Sequence, residues 1–409
     1  MKRDVLFMCQ FFYPEFVSSA KLPYQTAKGL AKSGLSVDVL CGYPKEYSEG
    51  SNKIPRKEMK DDIYIYRKRY LQFGRKNFVS RLINYFSFTF SILLSLPRIR
   101  KYKVIIVYSN PPILPIVSII AKKIFGCKIV FVSYDIYPEI AINTGVLKKD
   151  SLISKIMDSL NKSLFKNVSR VVSLSSEMKE HIVNNRDISA DKVYVIPNWA
   201  TESYSFVDIF KNDILKQIRS DYKLIISYFG NMGTAQDIET LVDVVKREDI
   251  QNSNIAFIFA GHGNKKEKLK QFTQENQLKN VYIFDYLKGD DFNEALSISD
   301  LFVVSLESDI SGLAVPSKTY SYYQAGKPII AIMSNDTDIS KEIQQYQAGY
   351  SFKNHSDSDI AKTLLELERS EKSLLQGMEK NVKQLYEDKY KMRYQIDKYV
   401  NLIKSLLEE

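Results

Sequence analysis

Lys318 stands where a cation needs an explanation. It lies in D-L-F-V-V-S-L-E-S-D-I-S-G-L-A-V-P-S-K-T-Y-S-Y-Y-Q-A-G-K-P-I-I-A-I-M, from Asp300 to Met333. The pattern predicts a buried strand over Leu301 to Leu306, a polar loop and a short tyrosine-rich helix opening near Pro316. A stop at Gly326 and a second buried strand follow. A lysine in the first turn of a helix opposes the helix dipole unless a negative group offsets it, and free backbone N–H groups there favour anions. A diphosphate fits that position. The plain alternative is an ordinary helix start carrying a solvated lysine.

Two glycine turns also follow strands of the same half of the chain. Gly230-Asn231-Met232-Gly233 comes directly after the run Leu224 to Phe229, and Gly261-His262-Gly263 after Ala256 to Ala260. Glycine there lets backbone N–H groups approach a ligand with no side chain in the way. Neither turn is a dinucleotide fingerprint, because the first reads G-x-x-G and no acidic residue ends the next strand at the required distance. Nicotinamide and flavin chemistry are therefore disfavoured. Taken singly, either pair is equally well a plain tight turn.

The elements that hold these residues alternate strand and helix, which argues for an α/β protein with parallel sheets covered on both faces. In the first half the expected strands are Val5 to Cys9, Val37 to Cys41, Ile63 to Tyr66, Val104 to Tyr108, Ile129 to Ser133, Arg170 to Leu174 and Val193 to Ile196, with a helix over Leu22 to Lys32. The second half restarts with Leu224 to Phe229, Ala256 to Ala260, Val281 to Phe284, Leu301 to Ser305 and Ile329 to Ile332. Two nucleotide-fold units in tandem follow, joined near residues 199 to 210. Ser370 to Leu407 has apolar residues at helical spacing and ends the chain as helix.

The 409 residues, 44% hydrophobic and 26% charged, suit a globular protein of two domains. Charge is divided unevenly: residues 1–200 carry 32 Lys and Arg against 16 Asp and Glu, whereas residues 201–409 carry 26 against 32. Residues 53–103 alone hold 14 basic and 3 acidic residues, interleaved with aromatic and aliphatic side chains. That mixture suits an anionic membrane surface. The run Phe86 to Leu96 is too short to span a bilayer, which takes about 20 residues. A solvated helix face and a nucleic-acid site are the competing readings, but no zinc-finger or RNA-binding signature supports the latter, and no nucleic-acid partner is expected. Cys9, Cys41 and Cys127 read as buried hydrophobes in a reducing compartment. The three histidines lack ligand spacing, so no metal is expected. The N-terminus has no signal-peptide pattern, so the chain is expected in the cytoplasm.

The chain resembles a family 4 glycosyltransferase of the GT-B fold, similar to bacterial capsule, exopolysaccharide and O-antigen sugar transferases. The resemblance is carried by F-F-Y-P-E at Phe11 to Glu15, S-Y-D-I-Y-P-E at Ser133 to Glu139, V-I-P-N-W at Val195 to Trp199, F-G-N-M-G at Phe229 to Gly233, A-G-H-G at Ala260 to Gly263, and V-P-S-K-T-Y-S with A-G-K-P-I-I. It implies two facing Rossmann-like domains: residues 1–200 binding the acceptor and residues 205–385 binding a nucleotide-diphosphate sugar, with residues 386–409 crossing back as a helix onto the first. It also implies retention at the anomeric carbon and no cofactor or required metal.

Residue roles follow the same resemblance. Gly230, Asn231, Gly233, Gly261, Pro316, Ser317, Tyr320 and Ser321 are the expected donor contacts. Lys318 neutralises the departing diphosphate, Asp135 with Glu139 orients the acceptor hydroxyl or takes its proton, and Glu15, Ser19 and Asn198 contact the acceptor. Asp135 and Glu139 are otherwise caps for a helix starting near Ile140. The chain departs from the family in having Ser321 where a ribose-holding glutamate is common, and either Ser311 or Leu313 in place of its partner glutamate. Thr234, Ala235 and Gln236 likewise replace the usual Arg and Lys. The implied activity is transfer of one sugar, from a uridine-linked donor by default, to a polyprenyl-diphosphate-linked saccharide at the inner face of the membrane. A nucleotide-sugar 2-epimerase and a non-catalytic scaffold of a polysaccharide assembly complex are the alternatives.

Overall fold

The structure is a computed structural model that describes residues 2–45, 54–74, 78–201, 204, 206–207 and 210–409. Lys53, Arg75 and Lys76 of the basic segment, and Glu202, Ser203, Ser205, Asp208 and Ile209 of the expected junction, lie outside the described residues. The chain forms two compact units. The first comprises Met1–Thr201, Gly312–Val315 and Met392–Glu409, the second Glu202–Ser311 and Pro316–Lys391.

Unit 1 is built on β1 (Arg3–Cys9), β2 (Val37–Gly42), β3 (Lys57–Lys60), β4 (Ile63–Lys68), β5 (Tyr102–Tyr108), β6 (Lys128–Val132), β7 (Arg170–Ser173) and β8 (Val193–Val195). They form one sheet in the order β3-β4-β2-β1-β5-β6-β7-β8, parallel throughout except for β3 against β4. Central β1 places Phe7 opposite Val39 on one side and Ile106 on the other. With helices on both faces, these strands are buried on both faces and read as unbroken apolar runs.

Unit 2 repeats the plan with β9 (Leu224–Asn231), β10 (Ile255–His262), β11 (Val281–Phe284), β12 (Leu301–Ser305), β13 (Ile329–Ile332) and β14 (Gly349–Phe352), ordered β11-β10-β9-β12-β13-β14 and all parallel. Every strand expected from the sequence is present. β3 and β14 are additional, and both are sheet edges. Edge strands are short and partly solvated: K-E-M-K of β3 is mostly exposed and G-Y-S-F of β14 half-buried, so neither carries an apolar run to reveal it.

The C-terminal helical segment is broken. Helix Lys372–Leu385 passes through a π turn at Tyr386–Tyr390, and Lys391 swings to φ −61° and ψ 131° before helix Met392–Glu408 begins. The change of unit falls there, at Lys391, and not near residue 386. Helix Met392–Glu408 buries Tyr399, Leu402, Ile403 and Leu406 in the same core as Leu22, Ala27 and Leu30 of helix Ser18–Lys32.

The basic segment is only partly a solvent surface. Arg67 is fully buried: its guanidinium donates to the carbonyls of Pro55 and Tyr13, both at 2.8 Å, and pairs with Glu58. Arg98 lies 4.1 Å from the centre of the Tyr66 ring. Helix Phe78–Leu93 buries Phe88 and Ile92 but leaves Val79, Phe86 and Phe90 exposed, and Leu94 just past its end is exposed too. No helix among the described residues is long and apolar enough to cross a membrane.

Candidate functional site

In unit 2 the strand ends β9 and β12 and the start of helix Lys318–Ala325 enclose a recess of about 380 Å³, open to solvent. Tyr322 fixes this corner. Its hydroxyl accepts from Phe229 N–H and donates to Phe229 C=O, both at 2.8 Å, and its ring stacks on Phe302 with centroids 4.4 Å apart. The helix is thereby tied to the last residue before Gly230. The first turn of the helix then meets the glycine: a β-carbon at Gly230 would stand 3.4 Å from Lys318 Cγ. The Lys318 ammonium sits 5.5 Å from the Phe292 ring centre and 6.0 Å from that of Tyr286. Cation–π attraction of this kind contributes about 0.5–1 kcal/mol at exposed sites, enough to hold the side chain beside the recess.

Glycine is required where β9 and β10 end. Gly230 and Gly261 are paired in register at φ 153° and 149°, and a β-carbon on Gly261 would lie 1.8 Å from Gly230 O. Gly326 ends helix Lys318–Ala325 in the left-handed conformation, φ 70°, as its sequence position predicts.

Of the expected donor contacts, Gly230, Asn231, Pro316, Ser317 and Lys318 line the recess. Gly233 and Gly261 instead shape the turns behind it: Gly233 N–H donates to Gln236 Oε1 at 3.1 Å. Tyr320 is a core residue, 2% exposed, packed on Tyr390 with ring centres 5.3 Å apart. Its place on the inward side of the helix overrides the expected ligand role. Ser321 accepts from the Tyr204 hydroxyl at 3.2 Å. Sequence reasoning missed Gln236, Ser305 and Tyr322, all in the lining. The tyrosine run Tyr320, Tyr322, Tyr323 was the available signal for the last.

Asp237, Glu239 and Glu307 bring three carboxylates within 4.8 Å of one another. The Lys265 ammonium already occupies that place, 2.6 Å from Glu239 and 2.8 Å from Glu307, and Asp237 accepts from Thr240 and Asn354. The cluster is an ion-pair network centred on Lys265.

Unit 1 holds the second recess, about 310 Å³, lined by Ser109, Pro112, Ser133, Asp135, Tyr137 and Asn161 among others. Asp135 sits in the turn after β6, where the N–H groups of Tyr134 and Asp135 donate to Ser109 Oγ at 3.0 and 3.3 Å. Ile136 N–H donates to Leu313 O at 2.9 Å and Asp135 bridges Ala314, both from the Gly312–Val315 segment of the same unit. Leu313, a candidate for the missing glutamate position, is therefore a buried residue of unit 1. Desolvation pushes the Asp135 carboxyl up to about 6. It is a base poised near neutral pH.

The other candidate acids are engaged elsewhere. Burial raises the Glu139 carboxyl, but its hydrogen bond with His181 and the Arg186 guanidinium at 2.5 Å outweigh that and hold it at about 2. So anchored, it is a weak proton acceptor. Glu15 is buried, with Oε2 accepting from Phe12 N–H at 3.3 Å. Ser19 lies in the first turn of helix Ser18–Lys32, and Asn198 is buried beside Trp199, whose indole donates to Gln25 at 2.6 Å. Neither lines the Asp135 recess.

Two α/β units with parallel sheets, in tandem, are the architecture of the GT-B fold. The family models agree: Glycosyltransferase Family 4 matches residues 21–202 and Glycosyl transferases group 1 matches residues 210–385. The chain belongs to the family 4 glycosyltransferases and is an enzyme of that kind. It is 27% identical over 325 residues to the probable glycosyltransferase WbjE of Pseudomonas aeruginosa, covering 79% of each chain. To the putative colanic acid biosynthesis glycosyl transferase WcaI of Escherichia coli K12 it is 22% identical, over 81% of this chain and 83% of that one. In fold it matches sucrose-phosphate synthase of Thermosynechococcus elongatus with a TM-score of 0.74 at 13% identity, covering 99% of this chain and 100% of that one. Anabaena HepE, solved with UDP and glucose, matches with a TM-score of 0.69 at 14% identity, over 98% and 100%.

Proposed function

We propose that the protein moves one sugar, with retention, from a uridine-diphosphate sugar to a polyprenyl-diphosphate-linked saccharide in the assembly of a capsule, exopolysaccharide or O-antigen, working in the cytoplasm at the inner face of the membrane. The observation that carries this reading is the placement of Lys318: a helix-start cation packed on a glycine strand end beside an open recess. Unit 2 holds the donor and unit 1 the acceptor. The bond from the anomeric carbon to the diphosphate oxygen breaks, and a bond to the acceptor oxygen forms. Lys318 and the N–H groups at Gly230 and Ser317 stabilise the charge that develops on the leaving diphosphate, which is where fixed dipoles and charges act most strongly. Asp135 takes the acceptor proton. With Lys318 in this role, no metal need bridge the diphosphate.

HepE's bound UDP supports the choice of nucleotide, the name of WcaI supports polysaccharide assembly, and the basic aromatic segment supports a membrane-borne acceptor. The test is Lys318→Ala. Loss of one electrostatic stabiliser of this kind typically costs a factor of about 10²–10³ in rate, so transfer from UDP-sugars should fall by that much while the melting temperature stays within a few degrees. Unchanged turnover removes the diphosphate role. Hydrolysis or epimerisation of the nucleotide sugar without any acceptor would favour the epimerase reading, and absence of nucleotide binding by calorimetry the scaffold.

A further inference from the structure

An apolar groove of about 740 Å³ runs along unit 1 between helix Phe78–Leu93 and helices Glu139–Asn143 and Leu152–Asn167. Leu82 and Tyr85 form one wall, Ala141 the floor, and Leu147, Ile153 and Met157 the other wall. Its size is that of a ligand pocket for a molecule of a few dozen atoms. One margin carries exposed apolar side chains: Val146 at 39%, Leu152 at 74% and Ile156 at 49%. Exposed apolar side chains gathered along the edge of a groove mark an interaction surface, not scattered surface residues.

Two observations identify the occupant. Pro112 and Tyr137 line both this groove and the Asp135 recess, so the two are continuous. Arg81 also lines the groove, and its Nε is buried without a hydrogen-bond partner among the described residues. Its charge acts on the half-buried Tyr137 at the junction. The surrounding sequence is one-signed: residues 63–134 contain 13 Lys and Arg and no Asp or Glu. A groove that is apolar along its length and cationic where it meets a carboxyl recess fits an amphiphile with a hydrocarbon tail and an anionic phosphate head.

We infer that this groove seats the isoprenoid tail of the acceptor, with Arg81 meeting its diphosphate and the head continuing toward Asp135. The inference rests on the proposed lipid-linked acceptor and adds where, and by which residues, the lipid is held. Branched methyls of an isoprenoid suit a groove walled by Leu, Ile, Met and Tyr side chains, and the exposed margin places the outer part of the tail where a membrane would receive it.

The test uses the full chain and calorimetric titration with farnesyl diphosphate, inorganic pyrophosphate and UDP. Farnesyl diphosphate should bind at least about ten-fold more tightly than pyrophosphate, a difference of about 1.4 kcal/mol. Val146→Glu, on an exposed margin and therefore tolerated by the fold, should remove about ten-fold of that affinity, as should filling the floor with Ala141→Trp. Both should keep the wild-type near-ultraviolet circular dichroism and cooperative melt of the full chain, which certifies folding of unit 1. Arg81→Ala should weaken farnesyl diphosphate and leave farnesol unaffected. The inference is overturned if the wild type does not prefer farnesyl diphosphate to pyrophosphate, or if Val146→Glu and Ala141→Trp bind it undiminished. It is also overturned if only Phe86→Ser with Phe90→Ser, on the outward face, abolishes binding, because the tail then lies on a general membrane-binding surface. Failure of the wild type to bind UDP sinks the donor reading instead and leaves the groove result standing.

Discussion

Asp135 and Glu139 are four residues apart in one motif, yet their surroundings separate them by several pH units: desolvation brings the first to about 6, and His181 with Arg186 holds the second at about 2. Under the proposed function, opposed environments of this sort give proton transfer to the poised carboxyl and leave the anchored one to the turn. Transfer should therefore rise with pH through about 6, and Asp135→Asn should flatten that limb while lowering the rate by about 10²–10⁴. Stability moves the other way. The folded carboxyl titrates above its unfolded value, near 3.8, so the native state binds the proton more tightly and loses that advantage as pH climbs from about 4 to about 6. At pH 8 Asp135→Asn should be more stable than wild type by about 1–3 kcal/mol, and at pH 3 equal to it, as urea titrations at the two pH values would measure. A variant less stable than wild type at pH 8 would contradict the desolvated carboxylate. The sequence pointed to Asp135 by its place after a strand. It could not separate Asp135 from Glu139, because Arg186 and His181 come from a distant helix end and reach Glu139 only in the fold.

Elements were more legible than contacts. Strands buried on both faces announce themselves as apolar runs, and all twelve expected ones exist, whereas edge strands β3 and β14 carry half-solvated sequences that resemble loops. The elements at Gly230 and Lys318 were read correctly as a strand end plus a helix start, but Tyr320 was expected to face a ligand because the sequence pattern left the helix phase open. In the structure, Tyr320, Tyr322 and Tyr323 are all buried, and of the helix only Lys318 and Tyr322 line the recess. The paired ends of β9 and β10 make a sharper prediction. Gly261→Ala drives a β-carbon to within 1.8 Å of the Gly230 carbonyl at φ 149°, so the strand ends must separate. Cost should be at least about 2 kcal/mol, in the range of strained backbone and overpacking combined. Because the displaced backbone is that of Gly230, nucleotide affinity should fall together with stability. Gly289→Ala is the control: its φ of 55° strains the backbone, yet nothing lies within 4 Å of its β-carbon, so it should lose a smaller amount of stability and no affinity.

The whole chain is woven and not strung. Unit 1 takes its sheet from residues before 202 and its closing helix from Met392–Glu408, so the first 201 residues by themselves leave the sheet face beside helix Ser18–Lys32 without its cover. Tyr399, Leu402, Ile403 and Leu406 fill that face at no more than 4% exposure each. Removing one of them as Leu406→Ala should cost about 2–5 kcal/mol, the range for truncating a buried leucine. Ending the chain at Lys391 removes all four at once, and unit 1 should then expose that face, bind a hydrophobic dye and aggregate. Supplying residues 392–409 as a peptide should reverse the dye binding, while the isolated segment 210–391, whose sheet and core are its own, should keep a cooperative melt and bind UDP. If instead the truncated chain melts as the intact protein does, helix Met392–Glu408 is an appendage and the core assignment of its four apolar residues fails. The amphipathic spacing of that helix was visible in the sequence, but its partner was not, since periodicity records that a face is buried without recording against what. Only the resemblance to a fold in which the last helix returns to the first domain supplied the destination, and the packing of Leu402 and Leu406 against the core of Leu22 and Leu30 supplies the reason it stays there.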